Sequence, residues 1–182
     1  MRTSYIIILF AVVTLVSCTG NKSQISVHER IEMYEDSIKQ WGGGLGTKAD
    51  IIEFAKNYIA TLEEAYNEDP NHKLAAEYID RIHMWCIVTG QPQEALKWAK
   101  IVLEKYPKYV NRPMVIESVA ALYDGDIQPR DSAKVREYYE MLLKENPKLD
   151  KIVVEDIKHR LKFNELSLEE YILSQAEEEE NI

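Results

Sequence analysis

The chain has 182 residues, of which 46% are hydrophobic and 29% charged, with 7 Gly, 6 Pro and a formal net charge of -9 from 31 acidic against 22 basic side chains. A single domain takes roughly 100 to 200 residues, so these values fit one globular unit and exclude collagen-like, mucin-like and wholly disordered chains. The acidic balance also excludes nucleic acid as the expected partner, because that binding needs Lys and Arg to neutralise phosphates.

The N-terminal segment reads as a leader. Arg2 precedes an uncharged apolar run over residues 6–16 (IIILFAVVTLV), and Ser17 places a small residue directly before Cys18. This is the layout of a secretory signal peptide, whose apolar stretch spans about 7 to 15 residues. A membrane-spanning helix needs about 20 apolar residues, and the polar run over residues 19–24 begins too soon for one. Leu15-Val16-Ser17-Cys18 resembles the lipobox of bacterial lipoproteins. The resemblance implies that residues 1–17 are removed and that Cys18 becomes the lipid-bearing first residue, with 18–26 as anchor and linker. Several acyl chains, each adding about 0.8 kcal/mol per buried CH₂, would then hold the domain at a membrane. With Cys18 acylated, Cys86 has no partner, so the fold is expected to rest on its core rather than on a disulfide, with Cys86 as a small buried hydrophobe.

From residue 27 to 175 the chain reads as helix, because apolar residues recur at spacings of three and four and no segment alternates with period two. Ile51, Ala55, Tyr58, Leu62 and Ala65 form one stripe, with Thr47 as N-cap and Asp50 three residues on. Ala95, Ala99, Val102 and Leu103 form a second, and Val135, Tyr139, Leu142 and Leu143 a third. Val154, Ile157 and Leu161 share a later face, and Ser167 with Glu170 boxes the start of a last helix. Gly and Pro punctuate the chain at residues 42–46, 69–70, 90–92, 106–107, 124–129 and 146–147. The tail over 176–182 carries Glu177, Glu178, Glu179 and Glu180. Those four carboxylates oppose the helix macrodipole, so a frayed, solvated end is expected there.

Pro70, Pro107 and Pro147 close three helices at spacings of 37 and 40 residues, a period typical of stacked helix pairs. The clearest unit runs through Ile79, Ile82, Cys86, Gly90, Ala95, Leu96, Ala99, Val102 and Pro107. The next runs through Ile116, Val119, Ala120, Tyr123, Val135, Tyr139, Leu142 and Pro147, and a degenerate one opens with Ile31, Tyr34, Ile38 and Gly42. These units resemble the tetratricopeptide repeat. They depart from it at His83, where that family has a small residue, in three extra residues in the turn before each of the two clear units, and in a loop over 124–131 that is three residues longer. The fold expected is all-α, with stacked antiparallel helix pairs in a tetratricopeptide-like α-α superhelix of seven or eight helices. At least about three such pairs are needed for a continuous core.

No constellation for chemistry stands out. His28, His72, His83 and His159 are dispersed, and His83 with Cys86 supplies only two ligands, where zinc takes three or four. Asp124, Asp126 and Asp131 lack the glycine and distal glutamate of a calcium loop and read as a polar connector. Glu63-Glu64 and Glu169-Glu170 splay about 100° apart on a helix, and residues 42–46 (GGGLG) lack the Lys of a phosphate loop. No serine sits in a Gly-x-Ser-x-Gly elbow. The expectation is no enzyme, no metal and no cofactor.

The 11 tyrosines and 3 tryptophans point to core and interface, where large rigid side chains are favoured. Tyr34, Tyr58, Tyr123 and Tyr139 are expected in the core, while Trp85 and Trp98 face a groove or a neighbouring pair. In the tetratricopeptide family the groove is lined by non-motif residues of the first helices. Carried over, these are Glu77, Asp80, Arg81, Met84, Ile87 and Val88 in one unit and Met114, Glu117, Ser118 and Ala121 in the next. The apolar ones among them would otherwise pack against an adjacent helix. The functional expectation is a lipid-anchored envelope scaffold that binds another envelope protein, as an accessory subunit of an outer-membrane or cell-surface assembly. Residues 19–28 contain no acidic residue, which favours the periplasmic side in bacteria that mark surface lipoproteins with acidic residues there. The alternative is a small-ligand or glycan-binding lipoprotein that uses Trp and Tyr as stacking platforms.

Overall fold

The computed structural model describes residues 25–40 and 47–180, with side chains through residue 176, so the leader, Cys18 and the glycine-rich joint lie outside the described residues. The described residues form eight α-helices, α1 (Val27–Gln40), α2 (Lys48–Glu68), α3 (Ala75–Val88), α4 (Pro92–Lys105), α5 (Arg112–Ala121), α6 (Ser132–Glu145), α7 (Lys151–Lys162) and α8 (Leu168–Glu180), with a π turn over Leu122–Asp126. Among the described residues there is no strand, and no helix is long and apolar enough to cross a membrane.

The helix boundaries follow from local chemistry. At α2 the Asp50 N–H donates to Thr47 Oγ1 at 3.3 Å, and Thr47 N–H donates back to the Asp50 carboxylate at 2.8 Å. Ser167 and Glu170 make the same reciprocal box at α8, and Ser26 with Glu29 makes it at α1, where the sequence reading had placed none. Each box satisfies two donors that a helix start otherwise leaves unpaired. Asp131 caps α6 and Asp150 caps α7. Pro92 opens α4, where a missing N–H costs nothing. Pro70, Pro107 and Pro147 each stand two residues beyond the last helical residue. The turn after α3 is a Schellman motif: Gly90 N–H donates to Ile87 O at 2.9 Å and Gln91 N–H to Cys86 O at 2.8 Å, with Gly90 at φ 72°.

Consecutive helices pack side by side, most extensively α3 on α4, α5 on α6 and α2 on α3. This is a stack of antiparallel helix pairs, as the period implied. One core runs through them, built from Tyr58, Leu62, Ile79, Ile82, Val102, Ile116, Val119, Val135 and Leu142. Ala55, Ala75, Ala95, Ala99 and Ala120 are fully buried and let neighbouring helices approach closely. Cys86 is buried as expected, and burial pushes its thiol up to about 11. Tyr58 and Tyr123 are core residues. Tyr34 and Tyr139 are only half-buried, and Tyr138 fills the core in place of Tyr139.

One local expectation changes at the C-terminal end, and the last two helices pack differently from the rest. Residues 124–131 are not simply a polar connector, because the π turn carries the Asp124 side chain into the protein. Helices α7 and α8 do not form a fourth pair along their length; α7 packs on α6. Tyr171 fastens α8 through its ring under the Arg160 guanidinium at 4.8 Å and a hydrogen bond to His159 Nδ1 at 2.8 Å. The backbone of α8 remains helical to Glu180 and shows no break at the 175/176 boundary.

Candidate functional site

The odd-numbered helices share one face, and crevices open between successive members of it. The first, about 270 Å³, lies between α1 and α3 beside Glu35, Ile38, Tyr58, Arg81 and Trp85. The second, about 420 Å³, lies between α3 and α5. The third, about 310 Å³, lies between α5 and α7 beside Glu117, Val153, Asp156 and Arg160.

The middle crevice gathers most of the residues expected to line a groove. Asp80, Met84, Met114, Glu117, Ser118 and Ala121 all border it, joined by His83 and Asn111. Met84 is 48% exposed, Met114 66% and Val88 58%, a concentration of solvent-facing apolar area that core packing does not explain. Glu77 and Arg81 do not face this crevice. Arg81 pairs with Glu35 of α1 and, at 2.5 Å, with Glu77, so both side chains join α3 to α1. Ile87 is half-buried and packs against the core.

Neither tryptophan expected at a groove or neighbour stands free as a platform. Trp98 is 9% exposed and meets Tyr66 edge-on at 6.2 Å. Trp85 lines the first crevice, tilted against Phe54 at 5.6 Å and edge-on to Tyr58 at 6.2 Å, both on α2.

The floor of the middle crevice holds a continuous polar chain. His83 is fully buried, with Nδ1 3.3 Å from Asp80 Oδ1 and Nε2 2.9 Å from Ser118 Oγ. The Tyr109 hydroxyl donates to Asp80 Oδ2 at 2.9 Å, and Asn111 Nδ2 donates to the Tyr109 oxygen at 3.2 Å. Burial first, and then the Asp80 carboxylate, push the Tyr109 hydroxyl far above its usual range, so it remains a donor. A carboxylate can only accept, so Asp80 takes the proton on His83 Nδ1, and Nε2 faces the Ser118 hydroxyl. Geometrically this is an Asp-His-Ser relay assembled from two helices.

No family model, curated protein or solved structure matches the chain.

The relay was not visible in the sequence reading, which paired His83 with Cys86 and placed Ser118 only as a groove residue. Asp80 and His83 are three apart on one helix, a legible pair. The 35-residue reach to Ser118 depends on how α5 registers against α3.

A second buried polar centre lies beyond the groove. Asp124 accepts from Arg130 Nε at 2.8 Å and from Arg160 Nε at 2.7 Å and Nη2 at 2.6 Å. Arg160 also donates to Phe163 O and Leu166 O, and Asn164 Nδ2 donates to Ser132 O. Its donors are committed to protein acceptors, which makes it a structural clasp joining the π turn, α6 and α7. Among the described residues no cluster of three or more His, Cys, Asp or Glu side chains stands ready to hold a metal.

Proposed function

We propose that this chain is a lipid-anchored scaffold of the bacterial envelope, tethered through Cys18, whose tetratricopeptide-like helical stack holds another envelope protein against the face of α1, α3, α5 and α7. The observation that carries this reading is the solvent-facing Met84 and Met114 lining a 420 Å³ crevice between α3 and α5. Unbranched methionines adapt to a partner's shape and are over-used at binding surfaces. The exposed Glu117 beside the crevice adds a polar position that fixes orientation. The lipobox-like leader supports lipid anchoring, the lack of acidic residues over 19–28 favours the periplasmic side, and the helical stack supplies the docking surface.

The test is mild crosslinking of the tagged, membrane-anchored protein, followed by identification of what co-purifies. Replacing Met84 and Met114 together with Ser alters the surface and leaves the Arg81 ion pairs in place. One stoichiometric envelope protein, recovered with the parent and lost with the double variant, is the expected result. Recovery of the protein alone from solubilised membranes overturns the docking reading.

A further inference from the structure

We propose that Ser118 is an activated nucleophile, with His83 as its general base and Asp80 as positioning residue, and that the α3/α5 crevice cleaves activated carboxylic esters bearing a small apolar acyl group. This goes beyond the docking role and needs no partner protein. Three independent observations carry it.

The first is connectivity. Ser118 Oγ to His83 Nε2 is 2.9 Å and His83 Nδ1 to Asp80 Oδ1 is 3.3 Å. This is the order of nucleophile, base and orienting carboxylate that an acyl-transfer relay requires, and spacings in unliganded sites are often longer than in the reacting complex. The second is that Asp80 is itself held. Tyr109 donates to its other oxygen at 2.9 Å, leaving Oδ1 for the imidazole. The third is access. His83 is buried while Ser118 is only part-buried, and both line a crevice of about 420 Å³ open to solvent. Met84 and Met114 wall it and suit an apolar acyl chain.

The step balances without a further co-reactant than water. Ser118 Oγ forms a bond to the ester carbonyl carbon as its proton passes to His83 Nε2. The carbonyl collapses, the carbon–oxygen bond to the leaving group breaks, and that oxygen takes the proton from Nε2. Water then attacks the Ser118 ester, giving its proton to His83, which returns one to Oγ as the carboxylic acid leaves. Ser118 lies inside α5, so its own N–H serves the helix ladder. The developing oxyanion therefore cannot draw on the backbone N–H of Ser118 itself. Without that donor, hydrolysis of the plain Ser118 ester suffers more than acylation by an ester with a good leaving group, so acylation is expected to outrun turnover.

The full chain in detergent is treated at pH 8 with p-nitrophenyl butyrate, and separately with an alkyl fluorophosphonate, and the adduct is located by peptide mass. The expected result is a burst of about one equivalent of p-nitrophenolate and a single adduct on Ser118, both lost in Ser118→Ala. Asp80→Asn keeps the shape of the side chain. In that variant labelling slows at least about tenfold and the pH profile of the labelling rate changes, because the ring is no longer held in one tautomer. His83→Gln alters a fully buried position, so folding of each variant is checked by circular dichroism and the case rests on Ser118 and Asp80. An unlabelled Ser118 in the folded parent overturns the proposal. So does a Ser118 adduct whose rate and pH profile are unchanged by Asp80→Asn.

Discussion

Asp124 shows how much a single carboxylate can hold. Its side chain is 3% exposed and accepts from two guanidinium groups that are themselves 7% and 14% exposed. Removing one partner from a buried charge cluster typically costs about 3–5 kcal/mol, because the remaining charges lose their counterion. Asp124→Asn is therefore expected to lower the melting temperature by roughly 6 to 20 °C, at about 2–4 °C per kcal/mol for a chain of this size, read by thermal circular dichroism. The surface pair Lys39–Asp36 is 72% and 64% exposed, and Asp36→Asn should shift the midpoint by less than about 2 °C. Cys86 makes a second residue-level case. Burial holds its thiol up near 11, so the reactive thiolate is scarce at neutral pH. A maleimide at pH 7.5 should leave Cys86 unmodified in the folded protein and react fully in 6 M guanidinium. Rapid native labelling would show that α3 opens readily at that position.

At the scale of elements, the fold depends on how helices start, stop and are tied to one another. Gly90 sits at φ 72° with nothing within 4 Å of where a Cβ would project, so the cost of Gly90→Ala is backbone strain alone. That amounts to about 1–2 kcal/mol and is measurable as a shift of the urea midpoint with unchanged slope. Arg112 ties three helices, donating to Leu103 O at 2.7 Å and to the Glu145 carboxylate at 2.8 and 3.0 Å. Its hydrogen bonds hold the Glu145 carboxyl below the usual 4.5. A carboxyl whose pKa falls on folding stabilises the fold above its unfolded pKa, and that contribution fades as pH drops through the folded value. Glu145→Gln is thus expected to lower the melting temperature at pH 7 and to have no effect once the pH is well below 4. No difference at pH 7 would mean that Arg112 acts only through the Leu103 carbonyl. Most of these elements were legible beforehand. The boxes at Thr47 and Ser167, the closing prolines and the Gly90 turn are local codes read within four residues. The exchange of Tyr139 for Tyr138 in the core was not legible, because adjacent positions differ by about 100° around a helix and the choice is set by the neighbour. For the same reason the groove positions were readable from one helix at a time, while the bond from His83 to Ser118 was not.

At the scale of the whole molecule, contacts run mainly between sequence neighbours. Stability in such a stack is close to a sum of unit and interface terms, and the ends contribute fewest interfaces. Hydrogen exchange should therefore be slowest in α3 to α6 and fastest in α1 and α8. Uniform protection across all eight helices would show a single cooperative unit instead. The π turn over Leu122–Asp126 adds a constraint of another kind. A π turn contains one residue more than the α-turn it replaces, so the inward aim of Asp124, and the angular phase of α6 and α7 relative to α5, are fixed by a residue count. Point substitutions leave that count untouched. Deleting one residue there would rotate everything downstream by about 100°, swinging Asp124 away from both arginines at once. Over generations of sequence drift, the exposed positions of this segment should tolerate changes of letter while its length stays fixed, and Asp124 should resist both.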